Sequence, residues 1–309
     1  MMELRHLRYF IAVAEELNFT RAATRLHIGQ PPLSMQIRDL EEEIGVRLFE
    51  RGPRRVALST AGERFLLHAR RILDGVEEAV AEARRAARGE LGELRVGFTS
   101  SLPFTDLLPD ALNAYRRRFP QVRLQLREMF TPEQFQALLR GELDVGFVRL
   151  QAGTPPAGIV LREVARNPLR LVVNAAHRLA GAAQVHLAEL AGEDFISFPA
   201  DVGTDLPGVL RALCRQAGFE PRIVQTAREA TTQIGLVAAG LGVAVLPAPL
   251  ESVRIARVRY LALAEPEAQF RLALAIREGE PVPTLGGFLE VLESLRAGEP
   301  PLALSVPRQ

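Results

Sequence analysis

Three side chains have the types and placement to hold an anion. Ser101 lies just beyond the strand-like stretch Leu94 to Thr99 and precedes Leu102-Pro103, and Thr131 precedes Pro132 with Gln134 three residues on. Each stands where a strand pattern gives way to a helical one. A helix N-terminus offers backbone N–H groups without intrahelical partners and the positive end of the dipole, so hydroxyls beside two such ends form an anion site that needs no metal. Arg149, at the end of the run Asp144 to Val148, can grip a carboxylate with both arms of its guanidinium. Plainer roles stay open at this level. Serine and threonine at these positions also cap helices, and an arginine at a strand end also pairs with a neighbouring acid.

The rest of the chemistry is defined by exclusion. All 38 basic side chains of the 309-residue chain are arginine. Without lysine there is no Schiff base, no pyridoxal-phosphate anchor, no Walker A clamp and no kinase of the usual kind. A single cysteine, Cys214, excludes an internal disulfide, and the five histidines, at 6, 27, 68, 177 and 186, never take the spacing of a metalloprotease helix. Gly240-Leu241-Gly242 follows a helical pattern and precedes a strand, the reverse of a dinucleotide fingerprint. No Gly-x-Ser-x-Gly elbow occurs, and Ser101 has no histidine near it in sequence. The expectation is a non-enzyme with no catalytic residues, no metal and no cofactor.

The positioning elements divide the chain. Near its start, Leu7, Phe10, Ile11, Ala14 and Leu17 recur at helical spacing, as do Phe19, Ala22, Ala23 and Leu26, with Asn18 and Thr20 as candidate caps. After Gly29 comes Gln30-Pro31-Pro32, where prolines fit the first turn of a third helix. Leu33, Ile37, Leu40 and Ile44 form its apolar face, and Pro31, Ser34, Met35 and Arg38 line the other. This is helix-turn-helix geometry. The net charge of +1 conceals two basic clusters: Arg21 to Arg38 holds three arginines and no acid, and Arg47 to Arg55 holds four and one acid, Glu50. The second cluster surrounds Gly52-Pro53 between short apolar runs and reads as a two-stranded wing. Arg51, Arg54 and Arg55 there would neutralise phosphates, while Arg21, Gln30, Pro31, Pro32, Ser34, Met35 and Arg38 would face a DNA groove. Such spacing also occurs in ordinary three-helix fragments with solvated arginines.

Thr60 with Glu63 reads as a capping box opening a helix that runs to Arg88 before Gly89. Leu66, Ala69, Leu73, Val76, Val80 and Ala83 alternate steps of three and four, a sustained heptad suited to pairing with a second copy. The other reading is a helix lying on its own domain.

Phe19-Thr20-Arg21-Ala22-Ala23, Leu26, Gln30-Pro31-Pro32-Leu33-Ser34, Ile37, Leu40-Glu41, Gly45, Leu48-Phe49, Arg51 and Leu58-Ser59-Thr60-Ala61-Gly62 together resemble the DNA-binding domain of LysR-type transcriptional regulators. Gly29 departs from that pattern, which has serine before the Gln-Pro pair, so a phosphate contact from that hydroxyl would be missing.

Beyond residue 92 strand and helix patterns alternate: strands at 94–99, 122–129, 143–148, 169–174, 195–198, 222–226, 243–246 and 270–276, and helices at 103–119 and 132–140. This implies a mostly parallel α/β architecture with ligands at the carboxyl ends of strands. The uncharged run Ala230 to Leu250 carries three glycines and two prolines, so it reads as helix, turn and strand rather than a membrane span. The mixed-charge N-terminus does not read as a signal peptide, and a cytoplasmic location is expected.

This half is similar to the two-lobed, periplasmic-binding-protein-like effector domain of the same family, each lobe Rossmann-like. The resemblance implies a winged helix-turn-helix domain at 2–59, a linker helix at 60–88, a hinge at 89–92 and an effector domain at 93–309. Lobe I would take 93–162 and 267–309, and lobe II 163–266, with two crossover strands. Gly97 to Ser101, Glu128 to Thr131, Val145 to Arg149 and Ile234 to Gly240 most resemble the muconate- and benzoate-responsive members. In those, residues matching Ser101 and Thr131 bind the effector carboxylate, with Leu102 beside them, and Arg149 matches a pocket arginine. Arg166 matches an arginine of a second benzoate site, although Pro168 alters its surroundings, and Leu206 replaces a phenylalanine of some relatives. The implied partners are promoter DNA, a second copy through the linker helix, a dimer-of-dimers tetramer and RNA polymerase, with no membrane. The implied ligand is a small muconate- or benzoate-like carboxylate. A free-standing solute-binding protein would explain residues 93–309 but neither the heptad nor the arginine clusters.

Overall fold

The structure, a computed structural model, describes residues 1–51, 56–150, 154–200, 203, 205–279, 281–295 and 304–305. It divides into two compact units, Met1–Arg85 and Ala86–Gln309. In the first, α1 (Leu4–Glu16), α2 (Phe19–Arg25) and α3 (Gln30–Ile44) precede a hairpin of β1 (Phe49–Arg51) and β2 (Val56–Leu58), and α4 (Thr60–Ala87) follows. The apolar positions of α1, α2 and α3 meet in one core around Phe10, Val13, Ala22, Leu33, Ile37 and Leu40. Phe10 packs against Phe49 and Phe65 at ring separations of 5.3 and 5.0 Å, and each fully buried side chain of this kind contributes about 1.5–3 kcal/mol.

Local chemistry sets the element ends. Asn18 caps α2, its Oδ1 accepting from the Thr20 and Arg21 N–H groups. Helix α3 starts after Gly29 and stops at Gly45, whose φ of +79° is the left-handed conformation that glycine adopts freely. The Glu41 carboxylate then accepts from the Leu48 and Phe49 N–H groups at 2.8 and 3.0 Å, pinning the hairpin to α3. The cap of α4 is Ser59 rather than the expected Thr60: Ser59 Oγ accepts from Gly62 N at 3.0 Å and donates to Arg47 O at 2.7 Å. A Cβ on Gly62 would lie 2.0 Å from the Leu48 carbonyl oxygen, so this joint requires glycine.

Helix α4 has 28 residues, roughly 42 Å. Its heptad is not one free seam. Ala69 is buried, and Leu66 and Leu73 are half-buried, all against the core of their own unit. Only Val76, half-buried, and the exposed Val80 and Ala83 carry the stripe onward, joined by exposed Ile72.

The second unit is built on a sheet in the order β4-β3-β5-β12-β6-β10-β8-β9. Its strands are β3 (Gly92–Phe98), β4 (Val122–Glu128), β5 (Val145–Arg149), β6 (Ile159–Asn174), β7 (Gln184–Val185), β8 (Asp194–Ser197), β9 (Arg222–Thr226), β10 (Val243–Pro247), β11 (Val258–Leu263), β12 (Gln269–Arg277) and β13 (Leu304–Ser305). Its helices are α5 (Leu107–Arg118), α6 (Thr131–Leu139), α7 (Leu206–Gln216), α8 (Ala230–Ala238) and α9 (Pro283–Leu295). Leu94, Val96, Tyr115, Phe147 and Phe288 centre one lobe, and Leu171, Phe195, Ile234 and Val245 centre the other.

Parallel pairing is confined to the outer strands, β3 with β4 and β5, β8 with β9 and β10, and the short β7 with β11. The long β6 is antiparallel to every neighbour, β10, β11, β12 and β13. The strand expected at 169–174 is therefore the last third of a 16-residue crossover. The helix expected from residue 103 is interrupted: a 3-10 turn, Leu102–Phe104, precedes α5. Helices α7 and α9 and strand β11 were not foreseen.

Candidate effector pocket and nucleic-acid interface

Strands β3 and β5 are neighbours, and α6 begins just past β4, so Ser101, Thr131 and Arg149 converge at the carboxyl end of the lobe I sheet. Ser101 does not cap with its side chain. Its Oγ instead accepts from Arg149 Nη2 at 2.7 Å. Thr131 is the first residue of α6, with Phe130 as the cap, and its Oγ1 accepts from the Arg149 backbone N–H at 3.1 Å. A hydroxyl that accepts from an N–H keeps its own proton to donate. Both O–H groups are thus available to a third, acceptor-only group.

Arg149 is 2% exposed. Its Nη1 donates to Asn167 Oδ1 at 2.8 Å, its guanidinium lies 4.9 Å from the centroid of the Phe270 ring, and its Nε, although buried, has no partner. Burial pushes its pKa down to about 10, which still leaves it charged at neutral pH. Among the described residues no carboxylate pairs with it. The ion pair with a nearby acid, open from sequence, is not formed, and a buried cation without a counter-charge carries a large desolvation cost.

The groups enclose a cavity of about 30 Å³, with Thr99, Ser100, Ser101, Thr131 and Arg149 at its polar end and Phe130, Phe198, Leu206, Ala230, Pro247, Leu250 and Phe270 over the remainder. Thr99 Oγ1 is also buried without a partner. Leu206 lines this cavity as expected, but Leu102 does not: it is fully buried in the lobe I core, because the 3-10 turn directs it inward. Arg166 lies elsewhere, exposed and bonded to Glu163.

Phe270, Phe130 and Phe198 line the pocket, and Asn167 holds the Arg149 side chain without lining it; sequence reasoning missed all four, and no local motif marks them. Gln134 has a structural part. Its Nε2 donates to Met129 O at 2.9 Å and Phe147 O at 3.1 Å, tying α6 to β5. The paired Gly97 and Gly146 leave space for its amide, since a Cβ on Gly146 would come within 2.6 Å of Gln134 Oε1.

On the first unit, Gln30, Pro31, Pro32, Met35 and Arg38 are exposed at the N-terminal half of α3, Met35 to 56%. Gln30 Nε2 donates to the half-buried Ser34 Oγ at 3.0 Å. Arg38 has no ion pair among the described residues. A Cβ on Gly29 would sit 3.2 Å from Pro32 Cδ, so serine here would press on the proline ring.

The acid-free stretch from Arg21 is neutralised from outside it. Arg21 pairs with Glu16 at 3.3 Å, and Arg25 with Glu15 at 2.7 Å, both acids from the end of α1. Strand β1 pairs Phe49 with Leu58 and Arg51 with Val56, which forms the expected hairpin. Arg54 and Arg55 lie outside the described residues, as does the side chain of Arg51.

Residues 4–63 match the family model described as bacterial regulatory helix-turn-helix protein, lysR family, and residues 87–296 match the LysR substrate binding domain. These families are regulators, not enzymes. The chain is 48% identical over 267 residues to the uncharacterized HTH-type transcriptional regulator YnfL of Escherichia coli, covering 86% of this chain and 89% of that protein. It is 37% identical over 301 residues to the HTH-type transcriptional regulator BenM of Acinetobacter baylyi, covering 96% and 97%. The effector binding domain of BenM with its effector benzoate superposes with a TM-score of 0.61 at 29% identity, covering 68% of this chain and 96% of that one. Full-length CbnR in complex with its target DNA superposes with a TM-score of 0.81 at 33% identity, covering 95% and 99%. Among the described residues no helix is long and apolar enough to cross a membrane. Helix-turn-helix, hairpin and two-lobed substrate-binding unit thus follow one another as both family models require, and the chain belongs to the LysR family of DNA-binding transcriptional regulators with an effector-binding domain.

Proposed function

We propose that the regulator is switched by a small carboxylate with a planar, apolar body, held between the lobes by Ser101, Thr131 and Arg149. The observation that carries this reading is the buried Arg149 guanidinium, which no carboxylate of the described chain pairs with. A carboxylate at the polar end would receive both hydroxyl protons and face the cation, while the aromatic and aliphatic walls would cover its body. Polar groups at one end only favour a single carboxylate, as in the benzoate named for BenM, over a muconate-like dicarboxylate. The cavity of about 30 Å³ has room for about one or two waters, so a benzoate-sized body requires the lobes to part.

The same proposal places α3 in the major groove through Gln30, Pro31, Pro32, Ser34, Met35 and Arg38, with Arg51, Arg54 and Arg55 on phosphates. Dimers form through Val76, Val80 and Ala83 of α4, with Leu66, Ala69 and Leu73 supporting the helix from below. Pairing of dimers and contact with RNA polymerase complete the assembly. A thermal-shift series on the full chain with benzoate, other aromatic monocarboxylates and cis,cis-muconate tests the ligand class. A saturating monocarboxylate should raise the melting temperature by roughly 5–10 °C at a hundred times its Kd. No shift with any carboxylate would sink the reading.

A further inference from the structure

Resting on that reading of the pocket, we propose that Asn167 is a positioning residue through which an anion on Arg149 acts on the crossover between the lobes. Arg149 belongs to β5 of lobe I, but two of its three side-chain partners belong to the crossover strands. Nη1 bonds to Asn167 of β6, and the guanidinium stacks over Phe270 of β12. Asn167 and Phe270 face each other in the β6–β12 ladder. The cation that would bind the ligand is therefore fastened to one cross-strand pair of the hinge.

That pair lies where the ladder is weakest. The register shifts between Leu272, opposite Ala165, and Ala273, opposite Glu163, so Val164 is an extra residue in β6 and forms a bulge. Bulges break the hydrogen-bond ladder and bend the strand. On the other side of Asn167, Pro168 stands opposite Gln269 and has no N–H to donate. Val164 and Ala165 pack on the lobe I core, and from there to the proline the segment is held by strand pairing and by the Arg149 side chain. Among the described residues, the other side chains bonded across it are Glu163, Arg166 and Arg271, an ion cluster in which both arginines are exposed.

Arg149 divides its donors between Ser101 of lobe I and Asn167 of the crossover. A carboxylate accepting from the guanidinium is a far stronger acceptor than the Asn167 amide oxygen. Its arrival redistributes those bonds, and the Asn167 contact converts occupancy into a changed hinge. The coupling needs no direct contact between ligand and β6.

Hydrogen exchange on the full chain, read on peptides covering residues 159–174, tests this with benzoate as the probe. Asn167→Asp places a resident carboxylate against Arg149. It should slow exchange of these peptides severalfold with no probe present and raise the benzoate midpoint at least tenfold. Asn167→Ala should bind benzoate through the intact Ser101, Thr131 and Arg149, while the exchange of 159–174 no longer responds to it. Wild-type exchange should respond. If Asn167→Ala responds as the wild type does, or if Asn167→Asp exchanges like the wild type without probe, the proposal is overturned. If benzoate leaves the wild type unchanged while Asn167→Asp still slows exchange, the hinge contact stands and the carboxylate reading of the pocket falls.

Discussion

Arg149 is the residue on which the proposed effector chemistry turns. Its burial among Ser101, Asn167 and Phe270 costs stability that a ligand carboxylate would return. The sign follows from its pKa, which burial lowers from the ordinary arginine range to about 10. The unfolded chain holds this proton more tightly, so the cost is fully present below about 10 and is relieved as pH rises from there towards the unfolded value. Arg149→Met, similar in bulk and uncharged, should therefore leave thermal stability at pH 7 equal or higher, by up to about 3 kcal/mol, while abolishing carboxylate binding. A denaturant series alongside a benzoate titration checks both halves; a strongly destabilised variant would mean that Arg149 is chiefly a structural tie. That Ser101, Thr131 and Arg149 belong together was legible because each stands at or beside the boundary of a recognisable element. Asn167 was not, because its contact with Arg149 spans 18 positions and no local pattern encodes such a pairing.

At the scale of elements, helices α1 to α3 were readable because each has a separate apolar stripe facing one core. Where charges cross between elements, sequence misled: the acid-free run from Arg21 suggested a free basic face, yet Glu15 and Glu16 of α1 reach over it. Glu15 bridges Arg25 of α2 and Arg70 of α4 at 2.7 and 2.8 Å. The hydrogen bond from Arg25 is the main cause of its lowered pKa, with Arg70 adding to it against a burial penalty. A depressed carboxylate pKa means that the clamp's stabilisation is present above the ordinary glutamate range and is lost as pH falls through the lowered value. Glu15→Gln should lower the stability of the first unit at pH 7 by about 1 kcal/mol, since the groups are largely solvated, and by nothing once the pH is below the titration of Glu15. Equal losses at pH 7 and in acid, in parallel melts, would assign the effect to packing. The displaced cap of α4 has a similar lesson. Thr60 with Glu63 fits the capping pattern, but Ser59 also bonds to the Arg47 carbonyl, and that tertiary contact decides the start.

For the whole molecule, the α/β character was legible from alternating strand and helix patterns, and the two lobes were implied by the family resemblance. The crossover strands came from that resemblance and not from the residue pattern, since Arg162, Glu163, Arg166 and Pro168 interrupt the apolar alternation in the first two-thirds of β6. Those polar positions tolerate solvent because the strand there joins the lobes rather than running through one core. A regulator of this design works if an anion between the lobes alters how the dimer or tetramer lies on DNA, by shifting a pre-existing equilibrium of lobe arrangements. The most direct test is DNase protection of upstream DNA by the full chain, with and without the carboxylate that raises its melting temperature. Wild type and the double variant Ser101→Ala, Thr131→Ala are compared. The wild-type footprint should change on adding the carboxylate, and the double variant should bind DNA with the same affinity and show no change. A double variant whose footprint responds as fully as the wild type would contradict the account.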